Sequence, residues 1–212
     1  IHLGGDLPLT AESLDPAKSI PFPEMYAANP IILVPSQFSA TAPLKMAAKT
    51  HLFRAATMGG FRHDMVPALR IDYTEVNRRV NWFKDVLDRA TGADFSFVYP
   101  GGEAALHLDL RFRTAHASGG LLPKPGVAGN LPSGEAYIVP YEGENEPSRT
   151  AGVMPVQFGK EVVLYRVENN KAIEVLSEGP TSVKEAESLK REPAYGNISE
   201  LGMGVLAAFG IK

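Results

Sequence analysis

Helical spacing of apolar residues dominates the chain before Gly92, and alternation dominates after it. The clearest helix starts at Asp72, whose spacing to Glu75 resembles a capping box, and runs to Gly92. Val76, Val80, Phe83, Leu87 and Ala90 recur along it at three- and four-residue steps, giving one inward face. Upstream, Ile31-Ile32-Leu33-Val34 is an unbroken apolar run closed by Pro35, the pattern of a parallel strand buried on both faces. The polar loop from Ser36 to Thr41 leads into a helix that Pro43 would start, continued by Leu44, Met46, Ala47 and Ala48. Such a loop can hold an anion, but it lacks a glycine-rich turn, so Thr41 reads as an ordinary N-cap. A second short strand is expected from Arg54 to Met58, before Gly59-Gly60. Residues 1 to 30 hold prolines at 8, 16, 21, 23 and 30 and read as irregular, with a short helix from Pro23 to Ala28.

Beyond Gly92 the pattern turns extended. Phe95 to Tyr99, the turn Pro100-Gly101-Gly102, and Ala105 to Arg113 predict a hairpin. Its second strand puts Leu106, Leu108, Leu110 and Phe112 on one face and His107, Asp109, Arg111 and Arg113 on the other. His107 and Asp109 could chelate a metal, but two arginines on the same face would repel it, so the face reads as solvated, with cross-strand ion pairs. Thr114 to Leu131 is a long glycine-rich loop, within which His116 is a candidate general base or ligand, or a residue that pins the loop by hydrogen bonding. After an acidic turn from Glu142 to Pro147, a second hairpin is expected from Val162 to Val167 and Ala172 to Leu176, around Asn169-Asn170. Ser182 and Glu185 have capping-box spacing, opening a helix that stops before Pro193. Strand and helix alternating in the first half predict an α/β layer, a partial doubly wound one, followed by a mostly antiparallel β-rich domain with flanking helices. The division falls at residues 1–92 and 93–212.

Composition narrows the function classes. The 212 residues are 44% hydrophobic with a net charge of -3, which is ordinary for a globular protein and gives no basic excess for nucleic acid. No apolar run is long enough to cross a bilayer. The absence of cysteine excludes disulfides and thiolate ligands, fits a cytoplasmic setting, and leaves His, Asp and Glu as metal donors. The Asn197-Ile198-Ser199 sequon has no other sign of secretion beside it.

Two carboxylates carry the candidate chemistry. In Gly129-Asn130-Leu131-Pro132-Ser133-Gly134-Glu135-Ala136-Tyr137-Ile138-Val139-Pro140, a turning loop enters a strand from Ala136 to Val139, and Glu135 sits at the junction. There an ionised carboxylate needs a cation, an arginine or a proton, unless it lies exposed on an edge. Glu200 sits among glycines and apolar residues in Tyr195-Gly196-Asn197-Ile198-Ser199-Glu200-Leu201-Gly202-Met203-Gly204. Two such glutamates are the oxygen donors that a carboxylate-rich metal site requires.

These two glutamate motifs resemble those of the thermophilic metalloaminopeptidases of the aminopeptidase T and aminopeptidase S type. Ile31 to Ser39 and Ala56 to Phe61 are similar to that family as well, in the same order along the chain. The resemblance implies a two-domain, dimerising hydrolase that releases N-terminal amino acids from peptides. It would hold two divalent metals, zinc or cobalt, with Glu135 and Glu200 as ligands. The family's two histidines, aspartate and tyrosine fall after its second glutamate motif, so the chain reads as the middle of a longer protein. Two other readings stand beside it: an iron-dependent ring-opening dioxygenase of the dihydroxypyridine dioxygenase type, and a non-catalytic binding or assembly protein on the same scaffold.

Overall fold

A computed structural model describes residues 10–12 and 19–210 and shows a mixed α/β fold with one parallel sheet and larger antiparallel pairing. The chain divides into two compact units, each gathered from separated segments. The first comprises Ile1–Trp82, Ala117–Ala136 and Gly204–Lys212, and the second Phe83–His116 and Tyr137–Met203.

In the first unit, β1 (Thr10–Glu12) and β2 (Ser19–Pro21) pair antiparallel where the sequence shows no periodicity. Helix α1 (Phe22–Ala28) follows, with Pro23 in its first turn, where a missing N–H costs nothing. Next come β3 (Ile31–Ser36), α2 (Thr41–His51) and β4 (Arg54–Gly59). Helix α3 (Tyr73–Arg89) then carries the chain across the division into β5 (Gly92–Tyr99) and β6 (Gly102–Asp109). The short strands β7 (His116–Ser118), β8 (Ala128–Asn130) and β9 (Glu135–Ile138) lie within and just after the long glycine-rich loop.

Strands β3 and β8 flank β4 in a parallel sheet, with Ile31 opposite Arg54 and Ala55 opposite Ala128. Its core joins Tyr26 of α1, Leu44 and Ala48 of α2, Phe53, Ala55 and Ala128, with Ile32 and Val34 packed against them. Both helices therefore cover the same side. Ile31 and Leu33 point the other way and are 57% and 59% exposed, so β3 is buried on one face rather than on both. Its edge position also explains Pro35, which has no N–H to give a neighbouring strand.

Thr41 does not cap α2. Ala40 occupies that position, Thr41 is the first helical residue, and its amide donates to Ser39 Oγ (3.3 Å). Asp72 does cap α3, accepting from the amides of Thr74 (2.9 Å) and Glu75 (3.4 Å). The Glu75 carboxylate turns instead to Arg78 (2.6 Å) and Arg79 (2.7 Å). Val76, Val80 and Leu87 form the buried face of α3. The helix ends at Arg89 because Gly92 already belongs to β5, where a Cβ would stand 2.6 Å from the His107 ring.

The second unit adds β10 (Ala151–Phe158), β11 (Glu161–Glu168), β12 (Lys171–Val175) and α4 (Pro180–Arg191), and the chain then runs into β13 (Leu201–Gly204). Its sheet is antiparallel in the order β12-β11-β10-β6-β5. Asn169 and Asn170 turn the β11-β12 hairpin with φ of 48° and 65°, a left-handed pair that asparagine tolerates better than most residues. Leu106, Leu108 and Leu110 are buried as expected, but β6 stops at Asp109, and Phe112 is exposed with φ of 61°. Helix α4 begins at Pro180, two residues before Ser182, so the Ser182 and Glu185 capping box does not form. Glu161 caps the helix from β11, accepting from the amides of Thr181 (3.0 Å) and Ser182 (2.9 Å), while Glu185 accepts from the Tyr165 hydroxyl (2.8 Å).

Candidate functional site

The loop from β8 to β9 is held at nearly every residue, and all of its partners below belong to the first unit. Asn130 Oδ1 accepts from the Thr41 hydroxyl at the start of α2, and Ser39 Oγ lies 2.8 Å from that hydroxyl. Leu131 N donates to Thr57 O (3.0 Å), extending the parallel sheet by one bond. Pro132 follows in a cis peptide. Ser133 is buried: its amide donates to the Tyr73 hydroxyl (3.3 Å) and its own hydroxyl donates to Ser118 O (2.6 Å). Gly134 O accepts from Val205 N (2.8 Å), and a Cβ at Gly134 would stand 2.6 Å from the Leu206 side chain, which would have to shift to admit it. The loop thus delivers Glu135 as the first residue of β9, half-buried, at the end of a fixed path from the carboxyl edge of the parallel sheet. In open α/β sheets this edge is where ligands commonly bind.

Glu200 belongs to the second unit and is exposed just before β13, so its carboxylate keeps its water. His116 opens β7, is exposed, and stacks on the Tyr137 ring with centroids 5.1 Å apart. That contact anchors the ring by packing.

His107 and Asp109 separate chemically. His107 Nδ1 lies 2.8 Å from Asp94 Oδ1 on the adjacent strand, the cross-strand pair expected of a solvated face. Asp109 has no exposed surface, contrary to that expectation. The Arg111 guanidinium meets both of its oxygens (2.9 and 2.7 Å), and the amides of Arg111 (3.1 Å) and Arg149 (2.9 Å) add two more donors. Burial would raise the Asp109 carboxyl, but Arg111 and the Arg149 amide outweigh it and lower it to about 2. Arg111 also reaches Glu146 (2.6 Å) and lies over the Tyr141 ring, whose hydroxyl accepts from the amides of Asn145 and Glu146. The acidic turn is thereby ordered by an arginine and a tyrosine, which is a structural use of the charges.

Among the described residues, no three of His, Asp and Glu gather as metal donors. The described part of this chain therefore does not fit an iron or zinc centre by itself. Sequence reading missed Tyr73, Ser118, Ser133 and Thr41 as the supports of the Glu135 loop. Their partners lie 15 to 89 residues away, a separation without local signal.

No protein-family model matches the chain, and no curated protein matches it. Among solved structures, it is similar to the 2,5-dihydroxypyridine dioxygenase of Pseudomonas putida KT2440, with a TM-score of 0.64 and 16% identity. The match covers 90% of this chain and 56% of that one, so the chain spans little more than half of that protein's length. At this identity the likeness establishes the fold. It corrects the aminopeptidase resemblance: the structure this chain is similar to is that of a dioxygenase, not of a hydrolase or protease. The physical reason lies in the Glu135 motif itself. Asn130, Ser133 and Gly134 each answer to loop packing within this chain, so a structural role accounts for those positions of the motif without peptidase chemistry. Among the described residues, no helix is long and apolar enough to cross a membrane.

Proposed function

We propose that the protein carrying this chain is a metal-dependent dioxygenase that opens a hydroxylated, nitrogen-containing aromatic ring. The observation supporting this reading is the match of fold over 90% of the chain to a 2,5-dihydroxypyridine dioxygenase. Iron is the metal that would suit such chemistry, and in the whole protein it would supply the activation of oxygen. Glu135 and Glu200 enter the proposal as individual carboxylate donors, each tested by replacement. Whole protein prepared with ferrous iron under exclusion of air, then mixed with 2,5-dihydroxypyridine and oxygen, should consume both in equal amounts as the ring absorbance disappears. Oxygen uptake no faster than with iron alone would reject the proposal.

A further inference from the structure

On the side of the parallel sheet away from α1 and α2, the first unit holds an open hollow of about 460 Å3. That size lies in the usual small-molecule range, roughly 300 to 1,000 Å3. Its walls are mostly hydrocarbon: Ile31 and Leu33 from β3, Ala56 and Met58 from β4, and Leu122 from the loop before β8. Among the described residues, Arg54 is the one charged residue in the lining. Its Nε donates to Leu122 O (2.5 Å), which fixes the guanidinium plane, and no carboxylate among the described residues pairs with its terminal nitrogens. Tyr73, also in the wall, has its hydroxyl committed to Ala68 O (3.1 Å) and to the Ser133 amide. The free polar capacity therefore rests on Arg54, and a half-buried guanidinium without a counter-charge favours an anion that brings its own hydrocarbon.

We propose that this hollow binds a small hydrophobic carboxylate, its apolar body against β3 and β4 and its oxygens on the terminal nitrogens of Arg54. A planar guanidinium fixed through Nε presents two parallel N–H groups to a carboxylate. A single cation in an apolar wall suits one negative charge, which disfavours phosphate esters. The site goes beyond the proposed function, and its test does not depend on oxygen chemistry or on metal.

Fluorine-detected NMR titration of the full chain with 4-fluorobenzoate, against neutral 4-fluorobenzyl alcohol, tests it. The carboxylate should bind saturably and at least about tenfold more tightly than the alcohol, the effect of one charge-assisted pair. Arg54→Gln should abolish that preference while leaving weak binding of the alcohol. Ala56→Leu, which fills the floor, should weaken both, and Arg54→Lys should keep part of the preference. Should Arg54→Gln fail to fold by circular dichroism, the lysine and leucine variants decide the matter. No saturable binding to the unaltered chain, equal affinity for alcohol and acid, or unchanged binding in Ala56→Leu would each overturn the proposal.

Discussion

A carboxylate without exposed surface persists only where other donors replace water, and Asp109 has a guanidinium and two amides doing so. Asp109→Ala leaves Arg111 partly uncompensated and should lower unfolding free energy by about 3 kcal/mol in urea titrations, the scale of a broken buried pair. The sign with pH follows from the lowered carboxyl. Its contribution is complete above its ordinary value of 3.8 and is lost as pH falls through about 2, so Asp109→Asn should flatten the stability curve between those limits. The two candidate donors have a separate readout: Glu135→Gln and Glu200→Gln should each reduce the iron content of the whole protein, measured by elemental analysis, and iron retained by both would remove them from the proposal. Strand alternation made cross-strand pairing on the His107 face legible in the sequence, though not Asp94 as the partner, which lies before the strand expected from Phe95. It could not show that β6 ends at Asp109, since the returning Arg111 is held by tertiary geometry that period-two spacing does not encode.

Element by element, legibility followed how local the determinants are. Helix α3 declared itself through Asp72 and its apolar steps, and both hairpins through their turn residues, because these signals lie within a few positions of what they specify. The start of α4 did not. Its capping carboxylate comes from Glu161, 20 residues from Thr181 in sequence, while Ser182 and Glu185 imitate a cap by spacing alone. Hydrogen bonds from Thr181 and Ser182 lower the Glu161 carboxyl to about 2, so this support is present above the ordinary 4.5 and disappears as pH falls through about 2. Glu161→Ala should speed amide hydrogen exchange at Thr181 and Ser182 while leaving the β5-β6 hairpin protected. Unchanged exchange there would show that Pro180 and the helix dipole suffice. Strand β3 marks the other limit: an apolar run reports residue type, whereas the presence of cover on the second face depends on where α1 and α2 settle.

For the whole molecule, the architecture was legible and its path was not. An α/β layer and an antiparallel β-rich part follow from periodicity, yet the path crosses the division after residues 82, 116, 136 and 203. Fragment 1–92 lacks β8, the strand that completes the parallel sheet beside β4. Expressed alone, it should show no cooperative thermal melt, and mixing it with fragment 93–212 should restore one. A sharp transition in the lone fragment would mean that β3 and β4 are stable without their third partner. The four crossings also limit how such a protein can be remodelled. Neither unit is continuous in sequence, so neither can be excised or grafted elsewhere as one uninterrupted cassette.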